Sequence, residues 1–312
     1  MITILRSTDT GLEKIETLAD GSWVNLVNPS PEDVGLLSQE YRIPSDMLTS
    51  ALDLDETARM EKEEEALLIV LRVPQHQGPT ADIPYATVPL GIILTERVIV
   101  TVCKVASPII EELVASHPRG LSTTKRSRFF LVLFLVAAKK FLLHLREINR
   151  NVDSLEDKLQ LSLRNREVLE LLKYQKSLTY FTTALKANEL MMGRLQKGRL
   201  FRMYPEDEDL LDDVLTEIGQ AQEMTAISSG ILSQMMDAFA SIISNNLNVV
   251  MKFLTSVTIL LALPTLIASI YGMNISLPFE HLPWPYDFAV PIGASLLLAG
   301  GVVLIFIRKD WI

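Results

Sequence analysis

The chain has 312 residues, 48% of them hydrophobic, with a mean hydropathy of +0.25, above that of an ordinary soluble protein, so part of it is expected to lie in lipid. A formal net charge of −9 argues against nucleic acid as a partner and is compatible with cations. With one cysteine, Cys103, the chain can build neither a disulfide framework nor a cysteine zinc cluster of its own.

The opening "MITILRSTDTGLEKIE" has neither the basic and then apolar layout of a secretory signal nor the Arg-rich, acid-poor composition of a transit peptide, so no cleaved leader is expected. "SWVNLV" reads as a strand and "NPSPEDVGLLSQEY" as a helix with Ser30 as cap and Pro31 in the first turn. "ALLIVLRV" and "YATVPLGIILTERVIVTVC", the latter turning at Thr95-Glu96, read as strands of one sheet. Residues 1–125 are therefore expected to form an α+β cytosolic domain. The acidic run Glu61 to Glu65 reads as a solvated strand or helix end rather than a metal site.

From about Ser107 strand signals give way to helices, broken near Pro118-Gly120, Asn165 and Gly198. The block "FFLVLFLVAA", Phe129 to Ala138, stops at Lys139-Lys140 and is too short to span a membrane, so it is expected to be a buried soluble helix. Residues 126–250 make up this helical and stalk region. Its last helix starts near Glu206; continuous to Tyr271, it would be on the order of 95 Å long.

Residues 251–312 are expected to be the membrane domain. Phe253 to Phe279 and Phe288 to Ile307 carry no charged residue, and each can cross a hydrocarbon core of ~30 Å. The spans are placed at about 251–271 and 288–307, with an outer loop at 272–287 and a tail at 308–312. Lys252 precedes the first span and Arg308-Lys309 follow the second, while the loop has no Lys or Arg. The positive-inside tendency puts both termini in the cytoplasm.

Alternate steps of three and four along the long helix give Asp237, Ser241, Ser244, Asn248, Met251, Thr255, Thr258, Ala262, Thr265, Ser269 and Gly272, nearly all small or polar. Such a stripe either lets two spans pack closely or lines a water-filled conduit, and its continuity across the whole span favours the conduit. Two helices cannot enclose a pore, so a conduit implies a ring-shaped homo-oligomer. The stripe has no carboxylate inside the membrane, which suits an ion that keeps its water, as Mg²⁺ does. At its outer end Gly272 lets the helix stop and bare its carbonyls, Met273 packs the turn, and Asn274 offers an amide oxygen.

"YGMN", Tyr271 to Asn274, at the outer end of the first of two C-terminal spans resembles the defining motif of the CorA family of divalent-cation channels. The closing "RKDWI" and "NVVMKFLT", Asn248 to Thr255, fit the same family. The resemblance implies a funnel-shaped homopentamer in a prokaryotic inner membrane. Gly272, Met273 and Asn274 would form the selectivity ring, with Asn248, Met251 and Leu254 near the inner gate and Glu280 in the outer loop. It also implies Mg²⁺ as both cargo and regulator, with no organic cofactor. Counting back from Asn274 places the regulatory carboxylate of the stalk at Asp213. Its partner would lie in the helix after "RIP", Arg42 to Pro44, where this chain has Thr49 and Ser50 at the acidic position and Asp53 and Asp55 a turn later. Alternatives are a relative moving Zn²⁺, Co²⁺ or Ni²⁺, and a membrane-anchored cation-binding regulatory module. His76, His117, His144 and His281 are scattered and no nucleophile arrangement or phosphate-cradling loop occurs, so an enzyme is not expected.

Overall fold

Strongly apolar, β-branched stretches in the first third pair into one seven-stranded sheet: β1 (Ile2–Thr8), β2 (Gly11–Ile15), β3 (Trp23–Val27), β4 (Arg59–Glu63), β5 (Ala66–His76), β6 (Tyr85–Leu94) and β7 (Ile99–Cys103). The computed structural model describes the chain except residues 9–10, 64, 119, 162–164, 199–203, 274–282, 284, 310 and 312, and the side chains of 160–161, 165, 197–198 and 287–288. The strand order is β2-β1-β3-β7-β6-β5-β4. All neighbours are antiparallel except β3 and β7, which run parallel.

Alternation along β5 sends Leu67, Ile69, Leu71 and Val73 to one face and Leu68 and Val70 to the other, and both sets are buried. The second face is covered by α1 (Pro31–Tyr41) and α2 (Ser45–Ser50), through Val34, Leu37, Met47 and Leu48. Helix α1 starts where the sequence places it. The Ser30 hydroxyl accepts from the Asp33 N–H at 3.2 Å, the Asp33 carboxylate accepts from the Ser30 N–H at 3.0 Å, and Pro31 fills the first turn.

The other face is covered by α3 (Pro108–Ser116), α4 (Arg126–Leu161), α5 (Asn165–Gly198) and the start of α6 (Glu208–Tyr271). Phe129, Phe130 and Phe134 are fully buried there, and Phe129 meets Trp23 edge-on with ring centres 4.9 Å apart. The block "FFLVLFLVAA" is therefore core, as expected. A single 3₁₀ turn, Pro205–Asp207, leads into α6, and the buried Asp207 carboxylate accepts from Arg128 of α4 at 2.9 Å.

Compactness divides the chain into Met1–Gln234 and Met235–Ile312, the junction falling within α6. The second unit holds the apolar end of α6 and α7 (Tyr286–Arg308). The helical segments Pro205–Tyr271 and Ala289–Arg308 are each long and apolar enough to cross a membrane.

Candidate functional site on α6

Within the second unit α7 begins beside the end of α6. A cavity of about 550 Å³ lies between them, lined by Pro264, Ile267, Ala268, Tyr271 and Gly272 of α6 and Pro291, Ile292 and Ser295 of α7. Along the same side of α6, Ser256 is fully buried and Leu260, Leu263, Pro264, Ile267 and Tyr271 are half-buried. The small and polar stripe occupies the other side. Ser256 and Thr258, like Ile267 and Thr265, stand about 160° apart around the helix axis. Asn248, Met251, Leu254, Thr255, Thr258, Ala262, Thr265 and Ser269 are all exposed in the single chain. Bulky neighbours such as Phe253, Leu261 and Leu266 are exposed too, so the chemistry of the stripe, and not its exposure, sets it apart.

That chemistry is one of acceptors. The Thr258 hydroxyl donates to the Leu254 carbonyl and the Thr265 hydroxyl to the Leu261 carbonyl, each at 2.8 Å. With each proton committed to the helix's own backbone, what the oxygens have left to offer is lone pairs. A hydrated cation presents water hydrogens outward, and these oxygens can accept them without stripping the ion of its shell. Pro264 lies on the opposite, α7 side of the helix. Lacking an N–H, it leaves the Leu260 carbonyl without its usual helical donor.

At its C-terminal end the helix closes without a left-handed residue among the described positions. The Gly272 N–H still bonds the Ala268 carbonyl at 3.0 Å, and the Met273 N–H bonds the Ile270 carbonyl at 3.2 Å. A Cβ on Gly272 would meet the Ala268 and Ser269 carbonyl oxygens at 3.4 and 3.5 Å, ordinary contact distances, so conformational freedom is not what requires glycine here. Met273 is exposed. Asn274 and Glu280 lie outside the described residues.

The carboxylates expected from the resemblance to be regulatory belong to the first unit. Asp213 is exposed on the second turn of α6 beside Asp212. Asp53 and Asp55 sit in the turn after α2, where the Asp53 carboxylate accepts from the Asp55 N–H at 3.0 Å. The Arg72 guanidinium holds that turn through the Leu54 and Glu56 carbonyls at 2.6 and 2.9 Å. The Thr49 and Ser50 hydroxyls are bonded back onto α2. Among the described residues no three His, Cys, Asp or Glu side chains converge on a point where one ion could sit. In the acidic run, Glu61 pairs with Arg59 on β4.

The sequence and the fold match known proteins over almost their whole length. The model of the CorA-like Mg²⁺ transporter protein family matches residues 19–309. The chain belongs to this family. It is 30% identical over 303 residues to the cobalt/magnesium transport protein CorA of Methanocaldococcus jannaschii, covering 93% of this chain and 91% of that one. To the cobalt/magnesium transport protein CorA of Thermotoga maritima it is 25% identical over 97% of this chain and 88% of the relative. The complete structure of the CorA magnesium transporter from M. jannaschii superposes with a TM-score of 0.86 at 25% identity, covering 100% of this chain and 99% of the other. The cytoplasmic domain of ZntB from Vibrio parahaemolyticus shares the fold of the first part, with a TM-score of 0.61 at 12% identity.

The stripe thus lies on the first of two C-terminal apolar helices in a chain of the CorA-like family. Sequence reasoning did not find the proline-flanked cavity between the spans. Pro264 and Pro291 were its only signal, and helical spacing alone does not say that the two prolines meet.

Proposed function

We propose that this CorA-family chain forms a membrane channel that passes divalent cations, Mg²⁺ foremost, along a pore lined by the stripe face of α6. The observation that carries this reading is the division of α6 into two sides. One meets α7, and the other bears the small and polar stripe, with acceptor oxygens at Thr258 and Thr265, which nothing in the second unit covers among the described residues. A ring of identical copies, a homopentamer on this reading, turns those faces inward. Asn248, Met251 and Leu254 then line the cytosolic entrance and Thr255, Thr258, Ala262, Thr265 and Ser269 the crossing, while Gly272, Met273 and Asn274 form the outer ring beside Glu280.

On this reading both termini are cytoplasmic in a prokaryotic inner membrane, because Lys252 and the Arg308-Lys309 pair flank the same side of the helical hairpin. The chain performs no covalent chemistry and needs no organic cofactor. Mg²⁺ is also its regulator, held between cytosolic domains of neighbouring copies by Asp213 with Asp53 or Asp55. Relatives named for cobalt as well as magnesium make Co²⁺ the second cargo to test. Purified protein in liposomes, loaded with an ion-sensitive dye and exposed to Mg²⁺, Co²⁺ or Zn²⁺, should admit Mg²⁺. Flux confined to Zn²⁺ would overturn the assignment.

A further inference from the structure

Two of the scattered histidines, 68 positions apart in sequence, meet in the first unit. His76 ends β5 opposite Tyr85 of β6, the last pair of that ladder, and His144 lies on α4. The two imidazole centres are 6.2 Å apart, with the Tyr85 ring 4.8 Å from one and 5.2 Å from the other. His144 is buried, with its side chain 7% exposed, and its Nδ1 lies 2.8 Å from a Glu147 carboxylate oxygen. A carboxylate can only accept, so Nδ1 carries the hydrogen and Nε2 is left as a bare lone pair. That Nε2 is sealed from solvent and has no hydrogen-bond partner. Burial holds the His144 pKa below its ordinary value, which keeps the ring neutral. Tyr85 also interacts with Glu147, the carboxylate that orients His144. Lys140, the nearest cation on α4, is paired with Glu112 at 3.1 Å.

A buried lone pair without a donor costs about 1–3 kcal/mol. The arrangement around it is the one found behind metal-bound histidines, where a carboxylate on one ring nitrogen fixes the tautomer and frees the other nitrogen for the ion. Two imidazoles sharing an ion at N–metal distances of about 2.0–2.1 Å have ring centres roughly 5–6.5 Å apart, a range that includes the observed separation. His76 is exposed, which gives an ion a way in. Because no third His, Cys, Asp or Glu joins them among the described residues, such a site has two protein nitrogens and completes its coordination with water.

We propose that His144 and His76 form a cytosolic binding position for a borderline divalent ion of the Co²⁺, Ni²⁺ or Zn²⁺ class, with Glu147 as the positioning residue. Imidazole suits these ions, whereas Mg²⁺ takes oxygen ligands, so the site would distinguish a transition metal from Mg²⁺ independently of the pore.

The test uses the full-length protein in detergent, stripped with chelator, held in a large excess of Mg²⁺ to fill oxygen sites, and titrated with Co²⁺ while its visible absorption is followed. One Co²⁺ per chain with a nitrogen-ligand spectrum is expected. His76→Ala and His144→Gln should each weaken it at least tenfold, Glu147→Gln about tenfold, and His117→Ala not at all. If His144→Gln does not fold, the exposed His76→Ala decides. Equal Co²⁺ binding by wild type and His76→Ala, or no binding in the presence of Mg²⁺, overturns the proposal and leaves His144 as a core histidine held by Glu147 with an unpaired Nε2.

Discussion

At the scale of single residues, the motif is separable from the scaffold that carries it. An alanine Cβ at Gly272 fits at ordinary contact distance, so Gly272→Ala should fold and assemble as wild type does, yet lose Mg²⁺ uptake. Asn274→Ala should behave alike if, as proposed, its amide meets the ion. Retained uptake in either variant would remove the motif from the selectivity ring. Cys103 makes a second residue-level test. Burial pushes its thiol up to about 11, so the folded protein should resist alkylation at pH 8 and react faster only as the pH climbs toward that value, while unfolded chains react readily at pH 8. Rapid labelling of folded protein would contradict the buried placement on β7. The converse case is Arg128, which pairs with a carboxylate only 2% exposed. Arg128→Ala should cost about 3–5 kcal/mol in thermal or denaturant unfolding, because Asp207 is left buried and unpaired.

At the scale of elements, α6 carries the functional argument, and its two sides predict different reactivity. Cysteines at Thr258 and Thr265 should react with small water-soluble reagents in the assembled protein, whereas those at Leu260 and Ile267, on the α7 side, should not. Equal labelling would mean that the small residues serve helix packing. Much of this helix was legible beforehand. Its length, its apolar end and the three-and-four spacing of Ser, Thr and Ala are periodic signals that local sequence carries in full. The Ser30 cap and the Phe129 block were legible for the same reason. The β1–β2 hairpin and β4 were not read as strands. β2 (GLEKI) and β4 (RMEKE) are edge strands with mostly polar, half-exposed side chains, so no apolar alternation announces them. Which side of α6 meets α7, and that His76 reaches His144, are pairings made by the fold and leave no trace in local pattern.

At the scale of the whole molecule, the account requires copies of the chain to act together, both to close a pore and to complete a regulatory site. Carboxylates gathered at a subunit boundary repel one another, and in the proposed channel a bound Mg²⁺ would offset that repulsion and hold the ring closed. Asp213→Lys, which supplies a fixed positive charge, should therefore protect the cytosolic part from proteolysis without Mg²⁺, whereas Asp213→Ala should stay cleavable at every Mg²⁺ concentration. At least one of Asp53→Ala and Asp55→Ala should weaken the Mg²⁺-dependent protection. Unaltered protection in all four would move gating to another acidic cluster. The sequence pointed to these residues only through resemblance, since an exposed aspartate that acts with a neighbouring copy looks like any solvated acid.

The measurement that bears most directly on the central claim is Mg²⁺ influx into liposomes containing Thr258→Cys, recorded before and after reaction with a bulky water-soluble thiol reagent. If the acceptor face of α6 lines the path of the ion, influx proceeds before modification and stops after it, while Ile267→Cys treated in the same way conducts throughout. Undiminished Mg²⁺ influx through fully modified Thr258→Cys would contradict the account.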